Sequence, residues 1–576
     1  MLDTLIENGT LIDGSGGARR RADVGVRDGR IVAIGEISEA ATQTVDASGR
    51  IVCPGFVDAH THYDAQVFWD PALTPSSNHG VTSVIAGNCG FTIAPLSDDP
   101  ADADYLIRML ARVEGMPLGS LQKGVPWGSW KTFGEYLDVL SGTLAINAAF
   151  LVGHTALRRA VMGERAVNHE ASAAEIEAMQ ALLRVSIREG GLGFSTTLSQ
   201  THNDAEGEPV PSRAATDEEL YALADVVSEF PGTAIMMIPG VDVFSPEMVE
   251  RMTNLSLRSK RPINWNLLNP VASQREMVEN QLAASDYAAE RGATVLALTV
   301  PQAIEIRINF LCGFVLDALP GWDAVIGLPV EERKKALSDP ATRKWMDEAA
   351  HSEAAGALAA FTDWGSMTIV DVHGEEHRPF VGMTVAELAA QQGKQPFDAL
   401  LDLAVADDLK TYFKPPSNGS DDESWRMRGE AWVDDRTIVG ASDAGAHLDM
   451  IDTFAFSTQI LGEGRRRTQV TTEEVVHQLT EVPARLFGLR ERGLIAEGYH
   501  ADIVVFDEES IEKGPTYVRY DLPCGSPRLF ADAVGIDHVF VNGREIVRGT
   551  DLTGEFPGKI LRPGIDTDTV RIPADG

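Results

Sequence analysis

The middle of the chain repeats one short pattern, an apolar run that ends in glycine, polar or histidine residues. Eight such runs can be counted: FVDAHTH (56–62), VTSVIAGNCG (81–90), NAAFLVGHT (147–155), GLGFSTT (191–197), TAIMMIPG (233–240), PINWNLL (262–268), ATVLALTV (293–300) and TIVGASDAG (437–445). Runs of this length bounded by turn formers read as buried strands. Between several of them lie stretches with helical spacing: TDEELYALADVVSEF (216–230), SPEMVERMTNLSLRSK (245–260) and SQREMVENQLAASDYAAERG (273–292). Thr216 and Ser245 stand where N-caps belong, and Glu219, three residues after Thr216, completes the pattern of a capping box. Eight strands alternating with helices predict an α/β fold, a (β/α)8 TIM barrel.

The seventh and eighth runs stand much farther apart than a simple connection requires. A helical insertion over about 305–425, including PVEERKKALSD and ATRKWMDEAAHSEAAGALAAF, is expected to form a lid or an interface. The ends of the chain have another texture. Residues 4–53 alternate in short segments broken by glycine, and the same pattern returns in ADIVVFD (501–507) and DHVFVNGREIVRG (537–549), where Asn542-Gly543 marks a tight turn. Residues 1–53 and 490–565 are therefore expected to form one small β-sandwich domain around a barrel at 54–489.

Composition narrows the function classes. A net charge of −36 repels phosphate backbones and anionic lipid surfaces, which argues against nucleic acid or membrane as a partner. No apolar run is long enough to span a bilayer, and MLDTLIENGTLIDGSGG lacks the basic and apolar regions of a secretory signal, so a cytoplasmic location is expected. Cys53, Cys89, Cys312 and Cys524 are too scattered for a disulfide framework. Apolar insertions in a large acidic enzyme often meet a second subunit, and a homo-oligomer is expected.

In a barrel of this kind, catalytic groups sit at the C-terminal ends of the strands. The first run ends in His60 and His62, the second in Asn88-Cys89-Gly90, the third in His154, and the eighth in Ser442-Asp443. Residues two apart on a strand face the same way, so His60 and His62 can aim two imidazoles at one point. Two imidazoles, a thiolate and a carboxylate converging on one face make a set of zinc ligands.

With PGFVDAHTH, HGVTSVIAGNCG, VGHTALR, GLGFSTTL, SDAGAH and VFVNGREIVRG in place, nearly the whole chain resembles the amidohydrolase superfamily, and within it the D-aminoacylase (N-acyl-D-amino-acid deacylase) family. The resemblance implies that His60 and His62 are metal ligands, that Cys89 is a thiolate able to bridge two metals, and that Asp443 is both ligand and general acid/base. It also implies the split β domain. The sequence departs from the family pattern at the fifth and sixth strands, where a histidine each would hold a second metal. TAIMMIPG and PINWNLLNP offer Met236, Met237 and Asn266 instead, and the family's lysine after the sixth-strand histidine is replaced by Leu267 and Leu268. Thioether and neutral amide are poor zinc ligands. One zinc per chain is expected, with Cys89 as a terminal ligand.

Around this centre, His154, Arg158, Tyr63, Trp69, His202 and His447 are the candidates for contact with substrate, and either His202 or His447 could replace a missing ligand. The expected reaction is hydrolysis of a C–N amide bond, in an N-acyl amino acid or a similar acylated small molecule, by zinc-activated hydroxide with Asp443 moving the proton. Two alternatives stand beside it: a ring-opening cyclic amidase or deaminase of the same superfamily, and an inactive barrel kept as a binding scaffold.

Overall fold

The computed structural model describes residues 1–313 and 315–573. Each of the eight apolar runs contains a strand. They are β1 (Phe56–Asp58), β2 (Val81–Ala86), β3 (Asn147–Phe150, continued by Val152–Gly153), β4 (Gly193–Thr197), β5 (Ala234–Ile238), β6 (Ile263–Leu268), β7 (Val295–Thr299) and β8 (Thr437–Val439). Every neighbouring pair from β1 to β8 is parallel and follows chain order. Beyond the strand ends, a parallel bridge between Thr61 and Ala444 joins the segment leaving β8 to the segment leaving β1. Burial explains why the runs read as continuous apolar stretches: β2 and β5, for example, are buried at every position, as strands covered on both faces must be.

The helical stretches fold as Asp217–Ser228, Pro246–Ser259 and Arg275–Ala289. Thr216 and Ser245 cap the first two, each accepting a backbone N–H in its first turn. The capping box at Thr216 is only half formed. The Glu219 amide donates to Thr216 Oγ1, but the Glu219 carboxylate turns inward, where His154 and Arg158 take it. Two charge-assisted partners outweigh the single exposed amide that a capping box would satisfy.

Between β7 and β8 the helices Val330–Ser338, Pro340–Ala350, Val385–Gln392 and Pro396–Ala406 pack on an apolar cluster of their own, which includes Trp322, Trp364 and Phe397. This segment is fastened to the C-terminal ends of the strands. The Arg307 amide donates to the Met450 carbonyl (2.8 Å), Asn309 Nδ2 to Asp449 Oδ2 (2.8 Å), and Arg112 pairs with Asp317 (2.7 Å). At the far ends of the chain, Ile51–Pro54 lies antiparallel to Ile503–Phe506 within one sheet. A second sheet contains Leu2–Glu7, and Ile6 and Val24 from it share an apolar cluster with Val52, Ile503 and Phe540 from the first. Asn542 and Gly543, both at positive φ, turn the hairpin between Ile536–Val541 and Arg544–Arg548. No helix among the described residues is long and apolar enough to cross a membrane.

Candidate metal centre

His60 and His62 follow β1, and both imidazoles are wholly buried with their Nε2 atoms turned toward Cys89 and Asp443. Cys89 Sγ lies 3.4 Å from His60 Nε2 and 3.5 Å from His62 Nε2. Asp443 Oδ1 lies 3.5 Å from His60 Nε2 and 3.1 Å from His62 Nε2. A cation roughly 2.0–2.3 Å from nitrogen, oxygen and sulfur ligands places neighbouring ligands about 3–3.5 Å apart. Each histidine lies at that spacing from both the thiol and the carboxylate, and the donors fall into two triads, His60 with His62 and Cys89, and His62 with Glu114 and Asp443. Imidazole, thiol and carboxylate all suit zinc.

The backbone is bent to bring these groups together. Cys89, Asp443 and His447 have φ of 57°, 57° and 47°, a left-handed conformation that residues with a Cβ rarely adopt. Gly87, just before Cys89, is at φ 74°, and a Cβ there would stand 2.3 Å from the Leu151 carbonyl oxygen, so glycine alone fits. Ser442 Oγ donates to Asp58, whose carboxyl is pushed up to about 8 by burial. Burial likewise pushes the Cys89 thiol up to about 12. Burial opposes ionisation of Asp443, but hydrogen bonds from His60 and His62 outweigh it and hold the carboxyl well below its usual range. Burial also opposes protonation of His62, and the charges of Glu114 and Cys89 more than offset it.

Glu114 was not foreseen. It follows the helix Pro100–Val113, its side chain is 4% exposed, and its Oε1 is 3.6 Å from His62 Nδ1. The one sequence clue is that an acidic residue at a helix C-terminus meets the unfavourable end of the macrodipole. His447 also belongs to this cluster, with Nε2 3.7 Å from Asp443 Oδ2 and 4.0 Å from Glu114 Oε2. His202 packs against Phe91 and pairs with Thr197 Oγ1 (2.9 Å); burial first, and the neighbouring charge of His62 second, drive its pKa down to about 3. At β6, Asn266 Nδ2 is 3.3 Å from His60 Nε2, while Met236 and Met237 on β5 are wholly buried in the core.

His154, Arg158, Tyr63 and Trp69 each have protein partners of their own. His154 and Arg158 are wholly buried; His154 bonds to Thr196 Oγ1 and Glu219 (2.8 Å each), and Arg158 pairs with the same Glu219 carboxylate. Position after the third strand brought them near the mouth in sequence, but the helix His154–Met162 turns them into an internal ion cluster. Tyr63 is buried under the turn at Gly445, its hydroxyl 2.6 Å from Ser76 Oγ. Trp69 packs beside Gly124, and its neighbour Phe68 stacks on Trp130. Arg213, which nothing in the spacing marked, has no acidic partner among the described residues. Its Nη1 donates to the carbonyls of Gln200 and His202 and to Asn203 Oδ1, on the same loop as His202.

Comparison with known proteins decides the family. The model of the amidohydrolase family matches residues 43–547. The chain belongs to the amidohydrolase family. This amidohydrolase is 30% identical to a D-aminoacylase of Alcaligenes xylosoxydans xylosoxydans, with 97% of each chain covered. It is also 30% identical to an N-acyl-D-glutamate deacylase of the same organism, covering 97% of this chain and 96% of the relative. Among solved structures, it is similar to the N-acyl-D-glutamate deacylase of Bordetella bronchiseptica in complex with zinc and a phosphonate that mimics the tetrahedral intermediate. That likeness has a TM-score of 0.63 at 26% identity, covering 97% and 99% of the two chains. The amidohydrolase therefore has the TIM-barrel fold with a small accompanying domain, and it is an enzyme that hydrolyses carbon–nitrogen amide bonds.

Proposed function

We propose that this amidohydrolase removes the acyl group from N-acyl-D-amino acids, with one zinc per chain held by His60, His62, Cys89 and Asp443. The observation that carries this reading is that the Nε2 atoms of His60 and His62 each lie 3.1–3.5 Å from the Cys89 thiol and from an Asp443 carboxylate oxygen. Zinc bound at these donors would supply Lewis acidity toward a carbonyl and toward water. The rest of the chemistry belongs to the chain. Asp443 takes the proton of the attacking water and returns it to the amide nitrogen, because an amine leaves poorly unless protonated. His447, 3.7 Å from Asp443 Oδ2, steadies the carboxylate between these transfers. Arg213, a cation beside His202 with no acidic partner among the described residues, pairs with the substrate carboxylate, the role for which Arg158 is too deeply buried and already neutralised by Glu219.

In the same reading the eight strands form a (β/α)8 barrel, the 305–425 segment closes over the strand ends through Arg307, Asn309 and the Arg112–Asp317 pair, and both chain ends build the β-sandwich. The test is amine release by zinc-loaded protein from paired N-acyl D- and L-amino acids, with cyclic amides alongside. Release confined to D-amino acids supports the reading. Release from cyclic amides alone, or from no substrate, refutes it.

A further inference from the structure

We infer that Glu114 is the positioning residue of the metal centre, fixing the ring of His62 and clasping it to the turn that carries Asp443. The inference rests on the metal-centre reading above and goes beyond it, because His60 and His62 cease to be equivalent.

A histidine that binds a metal through Nε2 carries its proton on Nδ1, and an acceptor at Nδ1 fixes both tautomer and ring orientation. His62 has such an acceptor in view: Glu114 Oε1, 3.6 Å from His62 Nδ1. His60 has none, since among the described residues Asp443 is the one carboxylate within 4 Å of its ring, and Asp443 faces Nε2. The Glu114 carboxylate is buried, and His62 Nδ1 beside it is a buried nitrogen without a hydrogen-bond partner. A buried polar group left unpaired is costly. Metal on Nε2 would leave His62 Nδ1 as an N–H facing that carboxylate.

The second contact comes from the backbone. The Glu114 carbonyl accepts the His447 amide at 2.5 Å, and His447 lies four residues beyond Asp443. One residue at the end of the helix Pro100–Val113 therefore holds a ligand that follows β1 by its side chain and the turn after β8 by its main chain. The same helix end is tied to the β7–β8 segment through the Arg112–Asp317 pair.

The test is zinc affinity by chelator competition on full-length wild type, Glu114→Ala and Glu114→Gln, with NMR observation of the His62 Nδ1 proton in the zinc-loaded forms. Loss of the carboxylate in Glu114→Ala should weaken zinc 10–100-fold, the usual effect of removing such a partner. Glu114→Gln, whose amide oxygen still accepts, should lose less than Glu114→Ala, with the number of zinc ions per chain unchanged in both. The Nδ1 proton should shift in Glu114→Gln and exchange away in Glu114→Ala. If Glu114→Ala does not fold, the near-isosteric Glu114→Gln decides by the same two readouts. Unchanged affinity and an unchanged His62 signal, with only a lowered melting temperature, would make Glu114 a packing residue and overturn the inference. A fall in the number of bound ions would make it a ligand, which also overturns it. Wild type that binds no zinc would instead remove the metal centre itself.

Discussion

The backbone amide of Asp443 donates to the carbonyl of His60 at 3.1 Å. This bond crosses from the segment after β8 to the segment after β1, where the side chains of the same two residues face each other. The contact that joins the two ends of the strand series therefore lies within the site itself. The positive φ at Cys89, Asp443 and His447 concentrates backbone strain in the same few residues, as functional sites often do.

Asparagine tolerates the left-handed backbone that Asp443 adopts, so Asp443→Asn should fold normally. An amide cannot shuttle the proton, and turnover should fall about 10²–10⁴-fold. Steady-state kinetics with a circular dichroism control check this. Near-normal turnover would move the proton transfer to another group, with His447 the first to examine.

Arg213→Ala should raise KM for an N-acyl amino acid much more than it lowers kcat, because its role is to hold the carboxylate and not to act on the scissile bond. Substrates amidated at that carboxylate should show little difference between wild type and variant. Equal losses of kcat for both substrate forms would place Arg213 outside substrate binding.

The side chains of the His154–Glu219–Arg158 cluster are wholly buried. Removing the shared carboxylate leaves the Arg158 charge buried without compensation, so Glu219→Ala should cost about 3–5 kcal/mol in urea denaturation. A change below about 1 kcal/mol would show that the cluster relaxes or admits water.

Acid sensitivity should centre on buried neutral histidines. His79, bonded to Thr458 Oγ1 and the Ala531 carbonyl, has its pKa driven down to about 4 by burial. The unfolded chain takes up this proton near 6.5, so the stability His79 contributes is complete above that pH and is lost as pH falls toward 4. The loss by pH 5 is roughly 2 kcal/mol. Urea midpoints at pH 7 and pH 5 should therefore separate less in His79→Gln than in wild type. An identical separation would assign the acid sensitivity to other groups.

Strand order and the residues at the strand ends were legible because a buried parallel strand must be apolar along its length and can turn polar only where it reaches the mouth. That logic places His60, His62, Cys89 and Asp443 on one rim. It says nothing about which way a helical residue points once the strand has ended. His154 and Arg158 follow β3 directly, yet their partner, Glu219, comes from a distant helix whose spacing suggested an ordinary capping box. Tyr63 and Trp69 follow β1 just as closely, and their neighbours Ser76 and Gly124 could not be read from the spacing. Glu114 was invisible for a related reason. It ends an amphipathic helix, and only the tertiary fold brings that end beside His62.

The central claim is that one zinc, held with the Cys89 thiolate, makes this chain an amide hydrolase. Metal-stripped protein titrated with zinc, while amine release from an N-acyl-D-amino acid is followed, tests it most directly. The account predicts no release at the start, a linear rise, and a plateau at one zinc per chain. Release that is independent of zinc, that needs two ions per chain, or that never begins would contradict it.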